Sequence, residues 1–289
     1  MIQQIIYNYL EDKSKIKRER SLENILNWSP TDYCRCLRQV YYKKINKEIT
    51  NPVSIHTLLK WEMGHGIHYQ LKELYKKIDK FYKDHPETRD IKFEYIEAES
   101  EFMEIEWEGI RFVFQPDDII EFNNHVFVIE NKTKYGQGID SIKNYGIEKD
   151  YEIQLFLYLT FLKIENGEFY FVATDSAYNQ DFAYTRESLF MKHRDYLVER
   201  NFEIKQVMKD IELYYINNEE KLPEKEGQIN LKNDKGNIKY EFQHKNQKYK
   251  CYPCSWGQGN NKCAYFDHCW GQELEEIKNH NFYIGGKYE

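Results

Sequence analysis

The sequence predicts an α/β protein in which a mixed sheet is flanked by helices. Three observations predict it. Apolar residues recur at helical spacing after Asn51-Pro52. They alternate with charged residues through 91–132. They then fill an almost uninterrupted run at 151–164, followed by a further strand-like segment. The order that results is helix, three strands, helix, strand.

Each element has a local signature. Trp28-Ser-Pro-Thr-Asp-Tyr33 reads as a turn leading into a short helix through Cys36 to Lys44. The next helix follows Asn51-Pro52, with Ser54 as its cap, because a serine hydroxyl can accept an orphan amide hydrogen. It carries Ile67, Leu71, Leu74, Ile78 and Phe81 at helical spacing, and His85-Pro86 ends it. The period then changes to two: Met103, Ile105 and Trp107 alternate with Glu104, Glu106 and Glu108, and Ile110, Phe112 and Phe114 continue after Gly109. Asn123-Asn124 predicts a hairpin turn, and residues 126–129 form a denser apolar run, as in a strand buried on both faces. Residues 134–150 read as loop, 151–164 as a buried helix and 168–174 as a strand. A long amphipathic helix follows, with Leu189, Tyr196, Leu197, Ile204, Val207 and Ile211 on one side, and 219–250 is charged and turn-rich, as a hairpin would be. No internal repeat or low-complexity tract interrupts this order.

A chain of 289 residues is long enough for a substantial core. Aromatic residues make up 16% of it, led by 25 tyrosines, so its 31% of charged residues signals a polar surface rather than disorder. The net charge of −7 describes the whole surface and not one groove. Local basic clusters remain, at Lys13, Lys15, Lys17, Arg18 and Arg20 and at Arg35, Arg38, Lys43, Lys44 and Lys47, and these suit phosphate as well as plain solvent. No apolar run approaches the roughly 20 residues needed to cross a bilayer, so no membrane partner is expected. The first residues, interrupted by Glu11 and Asp12, lack the pattern of a secretion signal. A cytoplasmic location is therefore expected, in which thiols stay reduced and the six cysteines read as metal ligands rather than disulfides.

The chemistry concentrates in two acidic motifs at the ends of adjacent predicted strands, Pro116-Asp117-Asp118 and Glu130-Asn131-Lys132. Strand side chains alternate, so Glu130 and Lys132 share a face while Asn131 points away. Two carboxylates and an ammonium meeting at a sheet edge are what phosphodiester hydrolysis needs: oxygen ligands for Mg²⁺ or Mn²⁺, and a cation near the attacking water. A Glu-x-Lys triplet alone arises often by chance. Its context adds weight, because Gln154 and Tyr158 lie four apart on one face of the next, otherwise apolar, helix, where polar groups need partners or a wet cleft. Upstream, Gly64-His65-Gly66-Ile67-His68 offers an imidazole as a further ligand, with His68 preferred and His65 competing.

In order, Cys36-Leu-Arg-Gln-Val-Tyr-Tyr, Gly64-x3-His68, Pro116-Asp117, Glu130-x-Lys132, Gln154-x3-Tyr158 and the terminal cysteines resemble the RecB-like family of PD-(D/E)xK exonucleases. The pattern is nearest to that of the CRISPR-associated four-cysteine exonucleases and related phage proteins. The resemblance implies a restriction-endonuclease-like α-β-β-β-α-β core at about residues 55–175, within a single nuclease domain spanning 1–289. It also implies metal binding by His68, Asp117 and Glu130, catalysis aided by Lys132, DNA engagement near Gln154 and Tyr158, and end-directed cleavage of single strands. Two departures stand out. Phe114-Gln-Pro116 replaces the usual glycine before the motif aspartate, which leaves Asp117 and Asp118 in competition. Asn131 is polar where an apolar residue is common.

Four thiolates suit either tetrahedral zinc or an iron–sulfur cluster. The resemblance implies a [4Fe–4S] cluster held by Cys36, Cys263, Cys269 and Cys254, with Cys251 as the alternate to Cys254. It groups residues 28–45 and 250–271 as one subregion. The spacing transfers incompletely, since Gly257-Gln-Gly-Asn-Asn261 lengthens the gap before Cys263. Two rival functions stay open: a zinc-stapled nucleic-acid-binding module without catalysis, and a site-specific endonuclease on the same core. The expected partners are DNA and the proteins of recombination, CRISPR adaptation or phage replication.

Overall fold

The computed structural model describes residues 5–6, 9–10, 22–50, 55–85, 91–96, 102–225, 227–234, 237–244, 263–265, 267–270 and 272. The chain forms two compact units: Met1–Cys34 with His56–Gln206, and Arg35–Ile55 with Val207–Glu289.

The first unit is built on a five-stranded mixed sheet. Two short helices, α1 (Leu22–Leu26) and α2 (Pro30–Cys34), come first; α3 (Leu37–Lys44) belongs to the second unit. The long α4 (Ile55–Asp84) then leads to β1 (Phe93–Ile96), β2 (Met103–Trp107), β3 (Ile110–Phe114), β4 (Asp118–Phe122) and β5 (His125–Lys134). After them come α5 (Gly136–Tyr145), α6 (Lys149–Leu162), β6 (Asn166–Ala173), β7 (Asn179–Thr185) and α7 (Arg186–Asn217). The sheet order is β1-β4-β5-β6-β7, and only β5 and β6 run parallel. A parallel pair needs a crossover, and α6 lies within that connection.

Strand order departs from the simple three-strand expectation. β2 and β3 pair only with each other, in a separate two-stranded sheet. Trp28 joins that sheet's edge, donating its amide hydrogen to the Arg111 carbonyl at 2.8 Å and accepting one from Val113 at 2.8 Å. The alternation that marks this hairpin is genuine, but its apolar face serves another purpose. Phe112 and Phe114 meet Phe161 of α6 at ring distances of 4.8 and 5.0 Å. Buried on more than one side, α6 is mostly apolar, and Ile153, Leu155, Leu157 and Leu159 are inaccessible to solvent. Gly167 of β6 permits its close approach, because a Cβ there would stand 2.9 Å from Leu155 Cδ1.

The β2–β3 and β4–β5 hairpins turn through residues with positive φ. Asn123 and Asn124 adopt positive φ of 49° and 66°, and Glu108 and Gly109 adopt 53° and 72°, matching the right-handed strand twist. The segment expected to be a loop contains α5. Its apolar content is just Ile139 and Ile142 facing inward, with glycines at 136 and 138 masking the helical period. The α4 helix forms where expected, over Ile55–Asp84, but none of its residues is fully buried, and Leu74 and Phe81 are about half exposed. Its Ser54 cap lies outside the described residues. The α7 stripe is as the spacing predicts: Leu189, Leu197 and Ile204 are buried in the first unit, Val207 and Ile211 in the second, and Tyr196 is half-buried.

The second unit joins distant stretches of chain. Arg38 donates through Nε to the Pro223 carbonyl at 2.7 Å, and the Thr50 amide donates to the Ala264 carbonyl at 3.0 Å. The Tyr42 ring stands 5.5 Å from Tyr265 and 5.6 Å from His268. A β8 (Gly227–Asp234) and β9 (Asn237–His244) hairpin forms in the charged segment. Among the described residues, no helix is long and apolar enough to cross a membrane.

Candidate active site

Strand β5 delivers the carboxylate–lysine pair from the middle of the sheet. Glu130 and Lys132 share a face, as the two-residue period requires, and Lys132 Nζ donates to Glu130 Oε2 at 2.6 Å. Glu130 is buried, and burial pushes its carboxyl above the ordinary glutamate value against the opposing pull of Lys132. Burial acts to lower the Lys132 ammonium, but Glu130 and Asp117 outweigh it and the net direction is up.

Asp117 stands in the turn just before β4, and its Oδ2 accepts the Asn131 backbone amide hydrogen at 2.9 Å. Its Oδ1 is 3.6 Å from His68 Nδ1, reached from α4. Burial tends to lower the His68 pKa, yet the hydrogen bond and charge of Asp117 carry it above the ordinary histidine value. From α6, Gln154 accepts from Lys132 at 3.4 Å and donates to the Tyr158 hydroxyl at 3.0 Å, using the i, i+4 spacing. Tyr158 is buried, and burial holds its hydroxyl well above the ordinary tyrosine range. His68, Asp117, Glu130, Lys132, Gln154 and Tyr158 therefore come together in one cluster, while His65 is exposed on α4.

The two aspartates separate cleanly. Asp118 lies on the opposite side of β5's backbone from Glu130. It accepts hydrogen bonds from the Tyr95 hydroxyl at 2.9 Å and from Asn131 Nδ2 at 2.6 Å, and burial pushes it up to about 6. Asn131 Oδ1 accepts in turn from Tyr75 of α4 at 3.3 Å. Asn131 thus has two uses: its backbone amide hydrogen holds Asp117 and its side chain satisfies Asp118. Sequence reasoning did not assign this role, nor that of Tyr151, whose ring lies 4.9 Å from Lys132 Nζ and 5.3 Å from Lys134 Nζ. For Tyr151 the available signal was its place one turn before Gln154.

The cluster offers two carboxylates and an imidazole, a donor set suited to a hard divalent cation. Among the described residues, no three His, Cys, Asp or Glu side chains form a ready-made shell. Of the cysteines, Cys36, Cys263 and Cys269 belong to the second unit, while Cys34 belongs to the first, with its Sγ 3.5 Å from the Asp150 carbonyl. Cys36 precedes α3 directly, and burial pushes the Cys263 thiol up. Cys251 and Cys254 lie outside the described residues.

No family model matches the chain, and no curated protein does. Among solved structures, one described as "Crystal structure of SSO0001" aligns with a TM-score of 0.42 at 20% identity, covering 68% of this chain and 86% of that one.

Proposed function

We propose that this chain is a metal-dependent deoxyribonuclease that hydrolyses phosphodiester bonds from DNA ends, preferring single strands, with a structural [4Fe–4S] cluster in its second unit. One observation carries the catalytic half: Asp117 and Glu130 share a small volume with Lys132, while the adjacent Asp118 is fully engaged elsewhere. A structural explanation of that cluster is poor, because a buried carboxylate whose pKa is pushed up by desolvation costs stability.

His68, Asp117 and Glu130 would hold Mg²⁺ or Mn²⁺. A bound divalent cation supplies charge neutralisation at the phosphate and acidity to an attacking water. The chain's own groups do the rest. Lys132, held between Glu130 and Gln154, keeps an ammonium where a water and a phosphate oxygen would meet. Gln154 and Tyr158 fix each other, so the lysine faces a rigid polar wall. The Asn131 amide hydrogen orients Asp117. Cys36, Cys263 and Cys269, with Cys254 as the fourth thiolate, would hold the cluster as a staple between stretches more than 200 residues apart.

End-labelled single-stranded DNA with Mn²⁺ tests the reading. Wild-type protein should shorten it from an end and EDTA should stop it, while Glu130→Ala and Asp117→Ala should be inactive. Full activity in a folded Glu130→Ala protein would eliminate the assignment and favour a binding module without catalysis.

A further inference from the structure

Two large exposed aromatic side chains, Trp61 on α4 and Tyr135 just after β5, belong to the elements that carry His68 and Glu130 but take no part in the cluster. Trp61 is 53% exposed and Tyr135 is 55% exposed. Single exposed aromatics need no explanation, but these two are placed by the same feature, the way α4 runs past β5.

Lys60, Gly64 and His68 lie a turn apart along one side of α4. Lys60 holds its ammonium 5.5 Å from the centre of the Tyr135 ring. A Cβ on Gly64 would come within 3.2 Å of Thr133 Oγ1, so the helix passes close to β5 at that point. His68 then meets Asp117. The helix thus proceeds in step from Tyr135, just beyond β5, past Thr133, to the catalytic carboxylate. Trp61 is seven residues before His68 and so shares its stripe. At 1.5 Å per residue, Lys60 and His68 are about 12 Å apart along the axis. Lys134, adjacent to Tyr135, is turned to the other face of β5, where its ammonium meets Glu148 at 2.7 Å and the Tyr151 ring, so Lys60 is the cation that accompanies Tyr135.

We propose that Tyr135 and Trp61, with Lys60, form a stacking platform for an unpaired base of single-stranded DNA next to the nucleotide being cut. The proposal rests on the nuclease reading and names how its substrate is held. Ring faces accept any base, whereas the Lys60 ammonium beside them accepts phosphate, the combination that tracks single strands without reading sequence. It also accounts for a preference for unpaired DNA, since a base within a duplex has its faces covered.

The test compares two oligonucleotides of equal length and charge, oligothymidylate and its abasic counterpart. Both are bound to full-length protein with Mn²⁺ in the slow-cleaving Lys132→Ala background and followed by fluorescence anisotropy. The base-bearing strand should bind roughly tenfold more tightly, in keeping with one aromatic stack. Tyr135→Ala and Trp61→Ala should each shrink that ratio towards one by weakening only the base-bearing strand, and Tyr135→Phe should keep it. An unchanged ratio in both alanine variants overturns the platform, while wild-type cleavage of end-labelled DNA leaves the nuclease reading standing. The exposed rings would then suit a protein partner. If wild-type protein neither binds nor cuts either strand, both readings fall together.

Discussion

The Asp117 carboxylate accepts the backbone amide hydrogen of Asn131 at 2.9 Å, so the turn before β4 is fastened to the strand that carries Glu130 and Lys132. Any side chain at 131 would preserve that amide. What an apolar residue would lose is the side chain's double duty, donating to Asp118 and accepting from Tyr75. Asn131→Val should therefore destabilise the protein by about 1–3 kcal/mol, the usual cost of stranding a buried polar group. Urea denaturation would show it as a lower midpoint with an unchanged slope. Asn131→Asp should be worse, because it sets a second carboxylate against Asp118.

A pH effect follows from Glu130. Burial holds its carboxyl above the ordinary glutamate value, so as the pH falls a cation must displace a proton. Mn²⁺ affinity should therefore fall by at least about tenfold per pH unit on the acid side, and His68, whose pKa is also raised, steepens the fall. Calorimetry at pH 6.5 in two buffers of different ionisation enthalpy should detect protons released from Glu130 and His68 as the cation binds, and a buffer-independent heat would refute it. Lys132 opposes the upward shift, so Lys132→Ala should move the acid limb to higher pH. It should also cost roughly a hundredfold in turnover at the optimum, as loss of a positioned catalytic group does.

How much of this was legible in the sequence depended on the range of each constraint. Glu130 and Lys132, or Gln154 and Tyr158, are set on common faces by the strand and helix periods alone, and their hydrogen bonds agree with that spacing. The choice between Asp117 and Asp118 depends on which of them meets the Asn131 amide, a contact 14 residues away that no local pattern encodes. The separate β2–β3 sheet was hidden for the same reason, since alternation reveals a strand but not its partner. Helix α5 escaped because two inward isoleucines among glycines and polar residues leave almost no period to read.

The cysteines make a separable prediction. Cys36, Cys263 and Cys269 share a unit from which Cys34 is excluded. Anaerobically purified protein should be brown and carry about four irons per chain. Replacing Cys36, Cys263 or Cys269 with alanine should remove the iron, whereas Cys34→Ala should retain it, and one of Cys251→Ala and Cys254→Ala should lose it. Colourless protein with one tight zinc would replace the cluster by a zinc staple.

The last prediction concerns the wall behind Gln154. Glu152, two residues earlier on α6, is buried and accepts from His193 Nε2 at 2.8 Å and from Lys192 Nζ at 2.6 Å, both on α7. Burial alone would raise its carboxyl, but His193 and Lys192 win and hold it below the ordinary glutamate value. A carboxyl depressed by folding contributes stability above its unfolded pKa, and that contribution disappears as pH falls through the folded value. Wild-type protein should therefore lose stability below about pH 4.5, the ordinary glutamate region. Glu152→Gln should be less stable than wild type at pH 7, by roughly 1–3 kcal/mol for the lost charge-assisted bonds, and the difference should shrink at pH 4. Guanidinium melts at the two pH values measure it, and an equal deficit at both would show that packing, not charge, gives Glu152 its effect.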